Sequence, residues 1–291
     1  MPILHESDIQ TREVLDWKGV HLLHFMGSSC SQKTRIFLNV KGIDWTSRMI
    51  DIPANENYGA WYLGINPRGL VPTLVYDGRV VIESNDILEH LEAAFPEPAL
   101  IPKAQAGLVH QLLAHEDALH LDLRALSMRF VFGPGAGQRS AELLDQYEQT
   151  GSGMVGGQRD DHKAVELKFF RDLGANGGVT DDQVRVSASR FKTAFGELET
   201  RLAHNDYLLG DALSVLDIAW YIYAARLGDA GYPVHAEHPR FGAWFDRLHA
   251  RPEFAREVKA PPPMIAARKA MQSEQANRGE SLAQIAGLKA G

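Results

Sequence analysis

Cysteine is nearly absent: Cys30 is the only one in 291 residues. No internal disulfide can form, which is the usage of a chain kept in a reducing compartment, so a cytoplasmic location is expected. Also missing is any apolar run near the ~20 residues that a membrane-spanning helix needs. Residues 1–19 carry acidic side chains and no apolar stretch, so no secretory leader is expected there. Positive charge is in deficit, since 30 Lys and Arg face 37 Asp and Glu for a formal charge of −7, which argues against a nucleic-acid partner. Histidine is present, but His115-Glu116 and His120 lack the four-residue spacing that puts two metal ligands on one helical face. No metal is expected.

What is there is concentrated in Gly27-Ser28-Ser29-Cys30-Ser31-Gln32-Lys33-Thr34-Arg35-Ile36-Phe37-Leu38, which runs from an apolar strand into an amphipathic helix. Unpaired backbone N–H groups and the positive dipole end make a helix start favourable for negative charge. Three hydroxyls and the cysteine crowd onto this one, a setting that stabilises a thiolate, the chain's own or a ligand's. Ser28-x-x-Ser31 occupies the frame of a Cys-x-x-Cys redox motif with both cysteines replaced. A dithiol is excluded, so the sulfur chemistry is assigned to a bound thiol. A plain serine-rich helix cap is the competing reading of these residues alone.

The surroundings favour chemistry. Residues 22–25 read as a buried strand, 34–41 as a helix ending near Gly42, and 46–51 as a second strand. Val71-Pro72 opens a third strand, Asp77-Gly78 signals a hairpin, and Arg79 to Ile82 form its second arm. Glu83-Ser84 opens a helix carrying Ile87, Leu88 and Leu91, which Pro96 stops. Strand–helix–strand followed by hairpin and helix is the order of a thioredoxin-like α/β domain. A proline at the mouth of a strand, facing a helix start, fits a cis bond that exposes a backbone edge.

With these motifs in order, the chain resembles the glutathione transferase superfamily. Ser28-Ser29-Cys30-Ser31, Thr34-Arg35-Ile36 and Lys41-Gly42-Ile43-Asp44 look most like the zeta class (maleylacetoacetate isomerases) and the related tetrachlorohydroquinone dehalogenases. Asn66-Pro67, Val71-Pro72 and Glu83-Ser84 match the superfamily at large. Tyr207 to Asp217 is similar to the folding motif of the family's all-α C-terminal domain, with Ser214 as N-cap and Asp217 reaching back.

The resulting expectation is an N-terminal extension over 1–19, a thioredoxin-like glutathione-binding domain over 20–98 and an all-α domain over 104–260. A single helical run is expected over about 104–132, broken at Gly133 to Gly137. Glycine-rich residues 133–182 read as an irregular, mobile insertion with a short helical piece around Lys163 to Leu173, and Pro261 to Pro263 end the packed domain before a tail over 261–291, which either docks as a helix or stays partly disordered. Trp61 and Tyr62 read as loop anchors.

The resemblance implies glutathione as co-substrate and a role for each matching residue. Ser28 would donate to the glutathione sulfur, with Ser29 and Cys30 lining the same helix start. Val71 would pair its backbone with the cysteinyl unit beside a cis bond to Pro72. Glu83 would hold the α-amino group and Ser84 the γ-glutamyl carboxylate. Cys30 would either resolve a mixed disulfide, as reductive dehalogenation requires, or serve as a small half-buried residue. Arg124, Arg129 and Tyr223 are candidates for an electrophile pocket. The implied protein is a homodimeric transferase acting on a hydrophobic electrophile by conjugation, dehalogenation, aryl-ether cleavage or cis–trans isomerisation. The alternative is a non-catalytic glutathione-binding regulator of the same fold.

Overall fold

The computed structural model describes residues 4–133 and 135–289 and divides the chain into two units: Met1–Ala99 with Arg139–Asp172, and Leu100–Gln138 with Leu173–Gly291. Pro134, within the expected glycine-rich break, and the last two residues of the tail lie outside the described residues.

Unit 1 is built on β1 (Val20–His24), α1 (Ser29–Lys41), β2 (Thr46–Met49), α2 (Ala60–Leu63), β3 (Thr73–Tyr76), β4 (Arg79–Ile82) and α3 (Ser84–Ala94). The sheet order is β2-β1-β3-β4, with β1 parallel to β2 and the other neighbours antiparallel. This is the thioredoxin-like arrangement expected from the motif order. Local chemistry explains the boundaries. Ser28 caps α1, accepting from the backbone N–H of Ser31, and Gly42 ends it in the left-handed conformation at φ +64°. Asp77 and Gly78 both take positive φ (47° and 78°), as a two-residue hairpin turn requires. A Cβ on Gly78 would lie 2.1 Å from the Leu15 carbonyl oxygen, so no other residue fits that turn.

Two expectations for unit 1 are corrected. Residues 1–19 are no appendage in their described part: Leu4, Ile9 and Val14 enter the core with Leu23, Tyr62, Val75 and Ile82. Tyr62 is no loop anchor either, since it is fully buried on α2 and its hydroxyl donates to the Leu70 carbonyl.

The larger correction concerns 133–182. Its central part is ordered secondary structure belonging to unit 1: α6 (Ala141–Gln149), a hairpin of β5 (Met154–Val155) and β6 (Gln158–Arg159), then α7 (His162–Ala175), which contains the helical piece expected around Lys163 to Leu173 and crosses into unit 2 near its end. Tyr147 is buried, its ring stacked on Tyr58 at 4.3 Å and its hydroxyl donating to the Arg68 carbonyl at 2.6 Å. The glycines that read as flexibility are turn formers. Gly156 and Gly157, at φ +62° and +74°, join β5 to β6.

Unit 2 is helical in its described residues. The expected single run to 132 divides into α4 (Ala106–Asp117), α5 (His120–Ser127) and a π turn at Met128–Phe132. Then follow α8 (Asp181–Arg201), α9 (Val215–Asp229), α10 (Val234–Glu237), α11 (Pro239–His249) and α12 (Pro252–Val258). Asp217 organises the core. Its carboxylate accepts from the backbone N–H and hydroxyl of Ser214, from Leu208 N–H and from Trp244 Nε1, at 2.7–2.9 Å. Burial raises its pKa, with those donors pulling the other way. The tail is not a loose end: Pro262 stands at the first turn of α13 (Pro262–Asn277), where proline's missing N–H costs nothing, and α14 (Leu282–Ala286) buries Leu282.

Candidate functional site

Sequence places Ser28 at the start of α1 and Val71-Pro72 at the mouth of β3, and the antiparallel pairing of β1 with β3 brings the two together. The Val71–Pro72 bond is cis. Ser28 Oγ lies 3.5 Å from the Val71 carbonyl oxygen, at the outer limit of a hydrogen bond, so its proton can be re-aimed at small cost. Ser29 and Cys30 are half-buried on the first turn of α1, and Thr34 Oγ1 bonds back to the Cys30 carbonyl.

Two buried cations stand behind this helix start. Arg35 is 2% exposed, as is Lys33. Arg35 donates to the carbonyls of Phe25 and Met26, which lead into Ser28, and lies 3.2 Å from His24 Nδ1. Lys33 Nζ donates to Asn85 Oδ1 at 2.7 Å, tying α1 to the first turn of α3. The dipole end of α1 favours an anion at Ser28, and Arg35 fixes the backbone that leads into it. Lys33 and Arg35 stood in plain view in the motif, but their burial could not be read from helical periodicity.

The second helix start carries Glu83 and Ser84. Ser84 is buried at the first position of α3, and Glu83 holds φ +67°, a region that costs a non-glycine residue about 1–3 kcal/mol and persists where surrounding contacts enforce it. Glu83 Oε1 pairs with Arg68 Nη1 at 2.6 Å. Arg68 in turn grips Asp160 with two bonds, Nη2 to Oδ1 at 2.6 Å and Nε to Oδ2 at 3.0 Å. Burial alone would lower the Arg68 pKa, yet the two carboxylates carry it above the ordinary value. Arg68 is held at its backbone as well, its N–H by Asn66 Oδ1 and its carbonyl by Tyr147. The loop from 66 to 73 is braced by Asn66 Nδ2 and the Tyr62 hydroxyl, both reaching the Leu70 carbonyl and Thr73 Oγ1. Sequence reasoning missed Arg68 and Asp160, and no sequence signal links residues 92 apart.

The remaining candidates have structural surroundings. Arg129 donates to the Val179 carbonyl and pairs with Asp181 at 2.7 Å. Tyr223 is buried with its hydroxyl 3.4 Å from His120 Nδ1, and Arg124 is half-buried on α5. His115 packs edge-on against Trp220. Among the described residues, no three His, Cys, Asp or Glu gather as metal ligands, and no helix is long and apolar enough to cross a membrane. A cleft of about 430 Å³ opens in unit 1 between Pro67, Glu148, Met154, Asp160 and Lys163. Ser28, Val71, Glu83 and Ser84 are not part of its lining, and the cleft meets the candidate site only through Asp160.

Comparison with known proteins agrees with this geometry. Residues 27–94 match the family model "Glutathione S-transferase, N-terminal domain" and residues 181–247 the model "Glutathione S-transferase, C-terminal domain". Protein LigF of Sphingobium sp. strain SYK-6 is 27% identical, the match covering 79% of this chain and 90% of LigF. The tetrachloro-p-hydroquinone reductive dehalogenase of Sphingobium chlorophenolicum is 26% identical over 81% of this chain and 94% of the enzyme. A probable maleylacetoacetate isomerase of Caenorhabditis elegans is 39% identical, over only 31% of this chain and 41% of that protein. The crystal structure of the beta-etherase LigF superposes with a TM-score of 0.65 at 24% identity, covering 82% of this chain and 98% of LigF. With both domain models matched in order, on a thioredoxin-like unit and a helical one, the chain belongs to the glutathione transferase superfamily.

Proposed function

We propose that this chain is a glutathione-dependent transferase in which the thiolate of bound glutathione attacks an electrophilic carbon of a hydrophobic small molecule. One observation carries the reading: Ser28 at a helix start, backed by buried Arg35 and Lys33, faces the backbone exposed beside cis Pro72. Ser28 turns its hydroxyl from Val71 to the glutathione sulfur. The N–H groups of the α1 start, at Ser29 and Cys30, add their dipoles. Val71 pairs with the cysteinyl unit, Glu83 takes the α-ammonium, and Ser84 takes the γ-glutamyl carboxylate at the α3 start.

A thiol of ordinary pKa ~8.5 must drop by about two units to be mostly thiolate at neutral pH, which is about 3 kcal/mol. One charge-assisted hydroxyl bond supplies roughly 1.5–3 kcal/mol of that, and the helix start supplies the remainder.

The two relatives matched over most of their length are named as an etherase and a dehalogenase, so we assign displacement chemistry. A C–S bond forms as a C–O or C–halogen bond breaks, and the electron pair leaves with an aryloxide or halide. Binding of both reactants contributes proximity, and the helix start contributes electrostatic stabilisation. A cytoplasmic homodimer is the assembly we assign on family grounds.

Titration calorimetry with glutathione tests the site. Ser84→Ala and Glu83→Ala should each weaken binding by about 1–3 kcal/mol without unfolding the protein. Wild-type affinity in both variants would remove the proposed site. Turnover is read with an activated haloarene and with an aryl ether whose leaving phenol is fluorescent. Glutathione binding with neither product would instead favour the regulatory reading.

A further inference from the structure

The segment that reads as an insertion delivers a charge to the glutathione site. Asp160 follows directly on the β5–β6 hairpin, and its carboxylate holds Arg68 in a two-bond grip while Arg68 Nη1 holds Glu83 Oε1. Of the three side chains Glu83 is the most exposed, at 30% against 15% for Arg68 and 15% for Asp160. The guanidinium is thus turned inward and shared between two carboxylates, leaving Glu83 as the outward member of a cluster with net charge −1. A lone Arg68–Glu83 pair would be neutral and would offer a cation little attraction. We propose that Asp160 is a positioning residue for the ligand's ammonium group, offsetting the charge of Arg68 so that the cluster around Glu83 stays net negative towards that ammonium.

This rests on the reading that glutathione is bound with its α-ammonium at Glu83. Other charge stands near: Lys163 feels the fields of Asp160 and Glu148, and its ammonium donates to the carbonyls of Tyr147 and Thr150. It is constant across the comparison below.

The experiment reads the ratio of dissociation constants for a glutathione analogue lacking the α-amino group and for glutathione itself, by calorimetry on the full chain. Charge bookkeeping fixes the order of the variants. Asp160→Asn leaves a neutral Arg68–Glu83 pair, Arg68→Gln leaves two carboxylates, and Arg68→Gln with Asp160→Asn restores net −1. One unit of charge some 7 Å from an ammonium, partly screened, changes such a ratio by about three- to tenfold. The ratio should therefore fall by that factor in Asp160→Asn, rise in Arg68→Gln and return near the wild-type value in the double variant.

A purely structural role for Asp160 would weaken both ligands alike, leave the ratio unchanged, and make the double variant worse than either single one. Either result overturns the proposal. If Asp160→Asn does not fold, Arg68→Gln decides alone: a ratio at or below wild type overturns it. Wild-type protein that binds neither ligand would sink the glutathione reading itself, whereas wild-type discrimination between the two ligands with the wrong variant order sinks only the role of Asp160.

Discussion

Ser28 and Val71 are 43 positions apart in sequence, yet the serine hydroxyl stands 3.5 Å from the valine carbonyl oxygen. That approach sets the hydroxyl of one helix start opposite the backbone edge beside a cis proline. It is the geometry on which Ser28, rather than Cys30, is proposed as the residue that meets the glutathione thiol.

Ser28→Ala should raise the pKa of enzyme-bound glutathione by about one to two units, the worth of one charge-assisted hydrogen bond. Turnover at neutral pH should fall correspondingly for every electrophile, with glutathione affinity little changed. Cys30→Ser should spare simple displacement, and if Cys30 resolves mixed disulfides it should stall only reductive reactions at a glutathionylated product. Ultraviolet titration of the bound thiolate measures the pKa, and an unchanged value in Ser28→Ala beside a raised one in Cys30→Ser would reverse the assignment.

Tyr147 offers a test of how firmly residues 139–172 are docked. Tyr147→Phe keeps the stack on Tyr58 but strands the Arg68 carbonyl, and should cost about 1–2 kcal/mol. Tyr147→Ala also empties a fully buried site and should cost about 3–5 kcal/mol. Chemical denaturation reads both values. A segment of loose chain would show neither cost, and limited proteolysis of the wild type would then cut first within 150–160.

Asp217 should be among the least replaceable residues of unit 2. Asp217→Ala leaves the N–H groups of Leu208 and Ser214 and the indole N–H of Trp244 without their acceptor in a buried place. At about 1–3 kcal/mol per stranded donor the loss should exceed about 3 kcal/mol, visible as a collapsed melting temperature. A melting temperature within a few degrees of wild type would show that the carboxylate is not what joins these elements.

Acid should weaken the fold. Burial lowers the pKa of His238, whose Nε2 lies 3.0 Å from the Tyr232 hydroxyl, and burial with the nearby Arg79 charge lowers that of His90. Above the ordinary histidine pKa of about 6.5 both states are neutral and nothing is lost. As pH falls below that value the unfolded chain takes up protons first, so stability drops until the folded-state pKa values are reached. Urea midpoints at pH 7.5 and 5.5 should differ, and His238→Gln should narrow the difference. An undiminished difference in that variant would clear His238 of the effect.

These residues also show what a sequence can and cannot disclose. Gly42, Asp77-Gly78, Thr180 and Ser214 act within four residues of themselves, so their caps and turns were legible as spacing. The boundary at Ala118–Leu119 within the expected single helix was not, because the apolar pattern runs on through it. Pro261 to Pro263 read as an ending, since proline stops a helix from behind and starts one from the front with the same chemistry. Around the site, Ser28, Val71 and Ser84 each belong to a local motif. Arg68 and Asp160 belong to none, because what joins them is the fold.

Unit 1 is assembled from two stretches of chain with residues 100–138 between them. On the ribosome, the site-bearing sheet emerges first but lacks Tyr147 and Asp160 until just over half the polypeptide has been made. Its first 99 residues stand without the Tyr147 contacts to Tyr58 and the Arg68 carbonyl while the opening helices of the other unit are already being synthesised. Completion of unit 1 therefore departs from the domain-by-domain order usual for a two-domain chain: a nascent chain released at residue 99 would carry Ser28, Val71, Glu83 and Ser84 and still lack the stretch that supplies Tyr147 and Asp160.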